Sequence, residues 1–145
     1  MIRRRGGLRK RSADEKKKQA LDAMFRVWVL TRAGNRCERC GAAHGSLMPR
    51  AGVAGRDTFA VVQVAHFKSR RIDATRWDPD NVVALCKGCH FLWAHHEPDK
   101  FAQWMAARLG TLRLARLNEK WKKPRRRTMD EVRADIVNLI LGGNQ

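Results

Sequence analysis

Between Ser12 and Arg32 the apolar residues Leu21, Met24, Phe25, Trp28 and Val29 recur three and four positions apart, the spacing of one face of an α-helix. Ser12-Ala13-Asp14-Glu15 fits a capping box, in which the serine oxygen accepts an early backbone N–H and the glutamate reaches back. Together these predict a helix over 13–33, with Gly34 just past its end. Thr58 to His66 is β-branched and apolar, and Asn81 to Leu85 is a second short apolar run, so both read as strands. The polar, basic stretch 68–77 between them reads as a loop ending in Asp78-Pro79. From Cys89 the pattern turns helical through His95. Pro98 then opens a helix that carries Phe101, Trp104, Met105 and Leu109 on one face and is closed by Gly110. Residues 111–122 form a basic helix. A second capping box, Thr128 to Glu131, starts a last helix of about three turns with Val132, Ile136, Val137 and Ile140.

The pattern therefore predicts a single α+β domain flanked by N- and C-terminal helices. Its parts are a flexible basic arm over 1–11, a central domain over 12–110 and a basic C-terminal helical extension over 111–145. Trp77, Trp93 and Trp104 fall at helical or strand-end positions and read as core.

Composition changes this picture in one respect. The 145 residues carry 31 Lys+Arg against 14 Asp+Glu, a net charge of +17, yet 43% are hydrophobic, enough for a real core. A folded domain this cationic repels itself, which points to a polyanionic partner, nucleic acid first. The length leaves no room for a two-domain cofactor enzyme. No run of roughly 20 apolar residues occurs, so no membrane span is expected. The basic N-terminus is followed by no uncharged stretch either, so export is not expected and the chain is placed in the cytoplasm, the host's if phage-encoded. The excess charge is uneven: residues 1–18 carry +7, 19–107 carry +4 and 108–145 carry +6. The flanks are suited to hold a polyanion around a nearly balanced centre.

All four cysteines fall in that centre, as Cys37-x2-Cys40 and Cys86-x2-Cys89. In a reducing compartment they read as thiols or metal ligands, and four thiolates suit a tetrahedral structural Zn²⁺ with no position left open for chemistry. Gly41 permits the tight turn that such a knuckle needs.

The segments Val64-Ala65-His66-Phe67, Asp80-Asn81-Val82 and Leu85-Cys86-Lys87-Gly88-Cys89-His90 resemble the HNH, or ββα-metal, endonucleases. There a histidine ends the first strand, an asparagine opens the second, and a histidine or asparagine follows the second cysteine pair. Over roughly residues 22–110 the chain is most similar to phage HNH proteins of the NinG recombination type, through Phe25 to Arg32, Cys37 to Gly41, His66 to Arg71 and Ala74 to Asn81. NinG-type proteins often carry asparagine where this chain has His90.

The resemblance implies a metal-dependent DNA endonuclease acting in phage DNA processing or recombination. His66 would be the general base toward water and Asn81 would fix the loop that orients it. His90 would be the ligand of a catalytic divalent ion, Mg²⁺ or Mn²⁺. Lys68, Arg70, Arg71 and Arg76, in the loop between the strands, would hold phosphate; the plainer alternative is a solvated basic loop.

One departure stands out. Family members commonly place Asp or His, a second metal ligand, where this chain has Ala65. Either Asp73, Asp78, Asp80, His95 or His96 completes the site, or His66 is itself a ligand. A non-catalytic zinc-stabilised nucleic-acid-binding protein is the competing class. A junction-resolving enzyme needs two active sites, which a homodimer would supply, although no coiled-coil repeat marks an interface.

Overall fold

A computed structural model describes residues 12–49 and 57–142; the basic arm expected over 1–11 lies outside the described residues. The chain is mixed α+β. Its elements are α1 (Ala13–Arg32), β1 (Leu47–Pro49), β2 (Asp57–Phe59), β3 (Val62–His66), α2 (Asp73–Arg76), a 3-10 turn (Pro79–Asn81), β4 (Val82–Cys86), a π-helix (Gly88–Ala94), α3 (Pro98–Lys122) and α4 (Met129–Gly142). Both capping boxes form: Ser12 Oγ accepts from the Glu15 N–H at 3.2 Å and Thr128 Oγ1 from that of Glu131 at 3.1 Å, and both glutamates reach back to the cap backbone at 2.7 Å.

The strand expected over 58–66 is instead two strands in two sheets. β1 pairs with β2, and β3 pairs with β4, both antiparallel. The break falls at Ala60, whose N–H donates to Ser46 O and whose carbonyl accepts from Gly45, both at 2.7 Å. Those bonds tie Ala60 to the first hairpin, and the chain then crosses to β4. The loop expected over 68–77 carries the short helix α2, and Asn81 ends the 3-10 turn rather than opening β4.

The β3–β4 ribbon is the middle of three layers. Because side chains alternate across a strand, Val62, Val82 and Ala84 face one way and Ala65, Val83 and Leu85 the other. The first set packs against Leu21, Phe25 and Val29 of α1 and Val132 and Ile136 of α4, with Trp77 at the margin. The second packs against three of the cysteines, Ala94 and Phe101, Met105, Leu109 and Leu117 of α3. Trp77 is buried, and Trp93 and Trp104 are half-buried against this second cluster. The segment expected as a C-terminal extension thus supplies core residues to both layers.

The outer edge of β4 is covered by the first knuckle. Glu38 N–H donates to Ala84 O at 2.8 Å and Glu38 Oε2 accepts from Ala84 N–H at 2.6 Å. That carboxylate also binds Arg32 and Arg108, tying α1 and α3 to the ribbon.

Gly110 interrupts α3 with φ 72° and ψ 169°, a region essentially reserved for glycine. The helix expected to close at Gly110 and the basic helix expected over 111–122 are therefore two arms joined by a kink. On the second arm Arg113 binds Asp80, and Lys120 binds Asp78 at 2.7 Å.

Candidate functional site

The two cysteine pairs meet on the ribbon's second face. Cys37 and Cys40 flank the turn after α1, and Cys86 and Cys89 bridge the end of β4 and the π-helix. The four sulfurs lie within 4.8 Å of one another. Tetrahedral Zn–S bonds place sulfurs about 3.8 Å apart, and Cys40 and Cys86 stand 3.7 Å apart. The donor set and spacing thus fit a metal ion such as zinc. Electrostatics at the cluster are uneven. Burial raises the Cys37 thiol, but backbone N–H groups of Cys40, Cys86 and Arg39 outweigh it and bring the pKa down to about 7. Burial pushes Cys89 and Cys86 up. Arg39 donates to Cys89 Sγ at 3.4 Å while its guanidinium lies 3.9 Å from the Trp93 ring centre, so a cation is fixed beside the sulfurs. His44 is not in the cluster; its Nδ1 accepts from the Val62 N–H at 3.1 Å.

The three residues implied by the resemblance come together around the ribbon. His66 and His90 line one open groove of about 370 Å³, with Asp22, Arg26, Gln63 and Arg70. The Nε2 of His66 is 3.0 Å from the carbonyl oxygen of Arg76. A carbonyl can only accept, so Nε2 carries the proton and Nδ1 holds the lone pair. Burial lowers the His66 pKa, with Arg70 and Arg76 adding to the effect against the Arg76 carbonyl and Asp22. The imidazole is therefore neutral over a wider pH range than a free histidine.

Asn81 is fully buried and uses its whole amide on the loop. Its Oδ1 accepts from the Lys68 N–H at 2.6 Å, and its Nδ2 donates to Lys68 O at 3.1 Å and Thr75 O at 2.8 Å. Its own carbonyl accepts from the Phe67 N–H at 2.8 Å. The side chain of Asn81 thus holds both ends of the 68–75 loop, and its backbone carbonyl holds Phe67, the residue after His66.

His90 is held from the ribbon. Its Nδ1 is 3.2 Å from Gln63 Oε1, which leaves Nε2 with the lone pair. Burial lowers its pKa, and the nearby His95 and His66 lower it further. Five-residue spacing would separate His90 from His95 on an α-helix. The π-helix brings them together: His95 N–H donates to His90 O at 3.2 Å, and the ring centres are 4.8 Å apart.

Of the residues considered for completing the site in place of Ala65, His95 alone adjoins His90. Asp73 is bound by Lys18 at 2.5 Å, Asp78 by Lys120 and Asp80 by Arg113; among the described residues none of the three lines the groove, and His96 is exposed. Ala65 itself points into the core, on the face opposite His66.

The basic residues divide. Arg70 lines the groove and Arg71 is exposed, whereas Lys68 lies over the rings of Phe67 and Trp121. Arg76, expected to hold phosphate, is instead engaged by Asp22, Nε to Oδ1 at 2.9 Å and Nη2 to Oδ2 at 2.5 Å. Asp22, Arg26 and Gln63 were not anticipated. Asp22 and Arg26 sit four apart beside the apolar stripe of α1, and Gln63 is the one amide in an apolar strand; those breaks in pattern were the available signals. Comparison of the chain with protein family models, with curated proteins and with solved structures finds no match in any of the three.

Proposed function

We propose that this chain is a metal-dependent DNA endonuclease of the HNH type, built on a ββα-metal core stapled by a structural zinc ion on Cys37, Cys40, Cys86 and Cys89. One observation carries the reading: a single groove on a cationic chain presents two neutral imidazoles, each with one nitrogen tied to an oxygen acceptor and the other bearing a lone pair. His66, with Nδ1 free, takes a proton from the attacking water. Asn81 holds the loop that carries the Arg76 carbonyl and so fixes the His66 ring. His90 would hold a divalent ion, Mg²⁺ or Mn²⁺, through Nε2, with Gln63 orienting the ring; when bound, that ion supplies Lewis acidity toward the phosphate. Arg70 and Arg26, on the groove wall, meet phosphate oxygens, and the basic flanks bind the DNA backbone without reading bases. A role in phage DNA processing or recombination follows from the sequence resemblance alone.

The test is incubation of purified protein with supercoiled plasmid and Mg²⁺ or Mn²⁺. Nicking is expected, with about a hundredfold loss in His66→Ala and close to one zinc per chain by metal analysis. A wild-type protein that binds plasmid without nicking it would favour the second reading, a non-catalytic zinc-stabilised nucleic-acid-binding protein. The burial of Ala65 in the core, on the strand face opposite His66, is the observation on its side.

A further inference from the structure

Asp22, on α1, is one of two charged α1 residues that line the groove, and it is bound from across the fold by Arg76 and Trp77. Its carboxylate accepts both Arg76 bonds and, at Oδ1, the indole N–H of Trp77 at 3.0 Å. Arg76 and Trp77 are the two residues joined by one peptide unit. The carbonyl of that unit is the one that accepts from His66 Nε2. The preceding carbonyl, Thr75 O, is held by Asn81.

The bonds therefore form a chain: the Asp22 carboxylate, the side chains on both sides of the 76–77 peptide, the carbonyl of that peptide, and the His66 ring. A peptide plane has two soft torsions beside it, and anchoring the side chains on either flank restricts both. The Arg76 side chain is 13% exposed and that of Asp22 32%, so the bidentate bond is partly shielded from competing water on the Arg76 side. The Arg76 guanidinium also lies 5.1 Å from the Trp77 ring centre, which stacks the two anchors on each other.

We infer that Asp22 is a positioning residue for His66: it fixes the Arg76 carbonyl, which in turn fixes which imidazole nitrogen bears the proton and where the free lone pair points. The inference rests on His66 being the base of the proposed endonuclease, but its structural content can be tested without cleavage. It also gives the N-terminal helix, which carries none of His66, Asn81 and His90, a part in holding the base.

The experiment uses the full chain with ¹⁵N-labelled histidine and compares wild type with Asp22→Ala and Asp22→Asn, each first checked for zinc content and far-UV circular dichroism. In wild type the His66 Nε2 proton should give its own resonance and exchange slowly with water. In Asp22→Ala that exchange should quicken about tenfold or more, with plasmid nicking reduced about tenfold in kcat and KM little changed. Asp22→Asn keeps the shape and one carbonyl acceptor and should fall between; it also serves as the deciding variant if the alanine protein does not fold. Unchanged exchange of the His66 proton in a folded Asp22 variant would overturn the inference. If exchange quickens while no form of the protein nicks DNA, the positioning stands and the endonuclease reading fails.

Discussion

The two faces of the β3–β4 ribbon are held in different ways. Toward α1 and α4 the contact is made by aliphatic and aromatic side chains, with Val29, Val62, Val132 and Ile136 wholly buried. Toward the π-helix and both arms of α3, apolar packing is shared with four thiols close enough to bind one ion. The difference matters for the groove, because His66 projects on the side of Val82 and Ala84 while His90 comes from the sulfur side. One member of the imidazole pair is carried by the strand face that packs on α1 and α4, the other by a segment that begins at a thiol cluster.

The largest effect should come from the sulfurs. Cys86→Ser, or treatment with a strong chelator, is expected to abolish cooperative melting and much of the helical circular dichroism, since a site of this kind supplies folding energy directly. A sharp melt near the wild-type temperature in the chelated protein would mean that packing alone holds both faces.

Next comes the apolar side. Ile136→Ala should cost about 2–5 kcal/mol in urea unfolding, with zinc content unchanged below the transition. If zinc is lost together with the α1–α4 contact, the two faces form one cooperative unit and are not held independently. Asn81→Ala, which strands two loop carbonyls and one N–H at the ribbon's end, should cost about 2 kcal/mol. It should also quicken amide exchange at Lys68 more than at Val83.

The smallest effect is acid sensitivity. His66 and His90 both have pKa values lowered by burial, so the unfolded chain takes up protons first as pH falls below about 6.5. The stability they contribute is present above that pH and lost as pH drops through their folded values. His66→Gln should therefore melt with a shallower dependence than wild type between pH 7 and pH 5. An identical slope would show that His66 is not desolvated.

The sequence made the local features legible. Both capping boxes, the helical stripe of α1 and the paired cysteines follow from residues a few places apart, whereas His66, Asn81 and His90 are singled out by the family resemblance; of these three, His66 and His90 line one groove. What escaped depends on distant partners. Arg76 reads as a phosphate ligand until Asp22, 54 positions away, is placed against it. The strand break at Ala60 depends on Gly45 and Ser46, and nothing within 58–66 announces it. The His90–His95 contact depends on i→i+5 turns, which the helical pattern through His95 does not distinguish from α-helical ones.

The kink at Gly110 turns the second arm of α3 into a ruler. Arg113 and Lys120 are seven residues apart, close to two full turns, so both reach the same side of the helix and meet Asp80 and Asp78. Their phase is counted from the glycine. One residue inserted just after Gly110 would turn both cations by about 100° away from their acids, while Phe101, Met105 and Leu109, before the glycine, kept their seats. The spacing between Gly110 and Arg113 thus carries information of its own, separate from the identity of either residue.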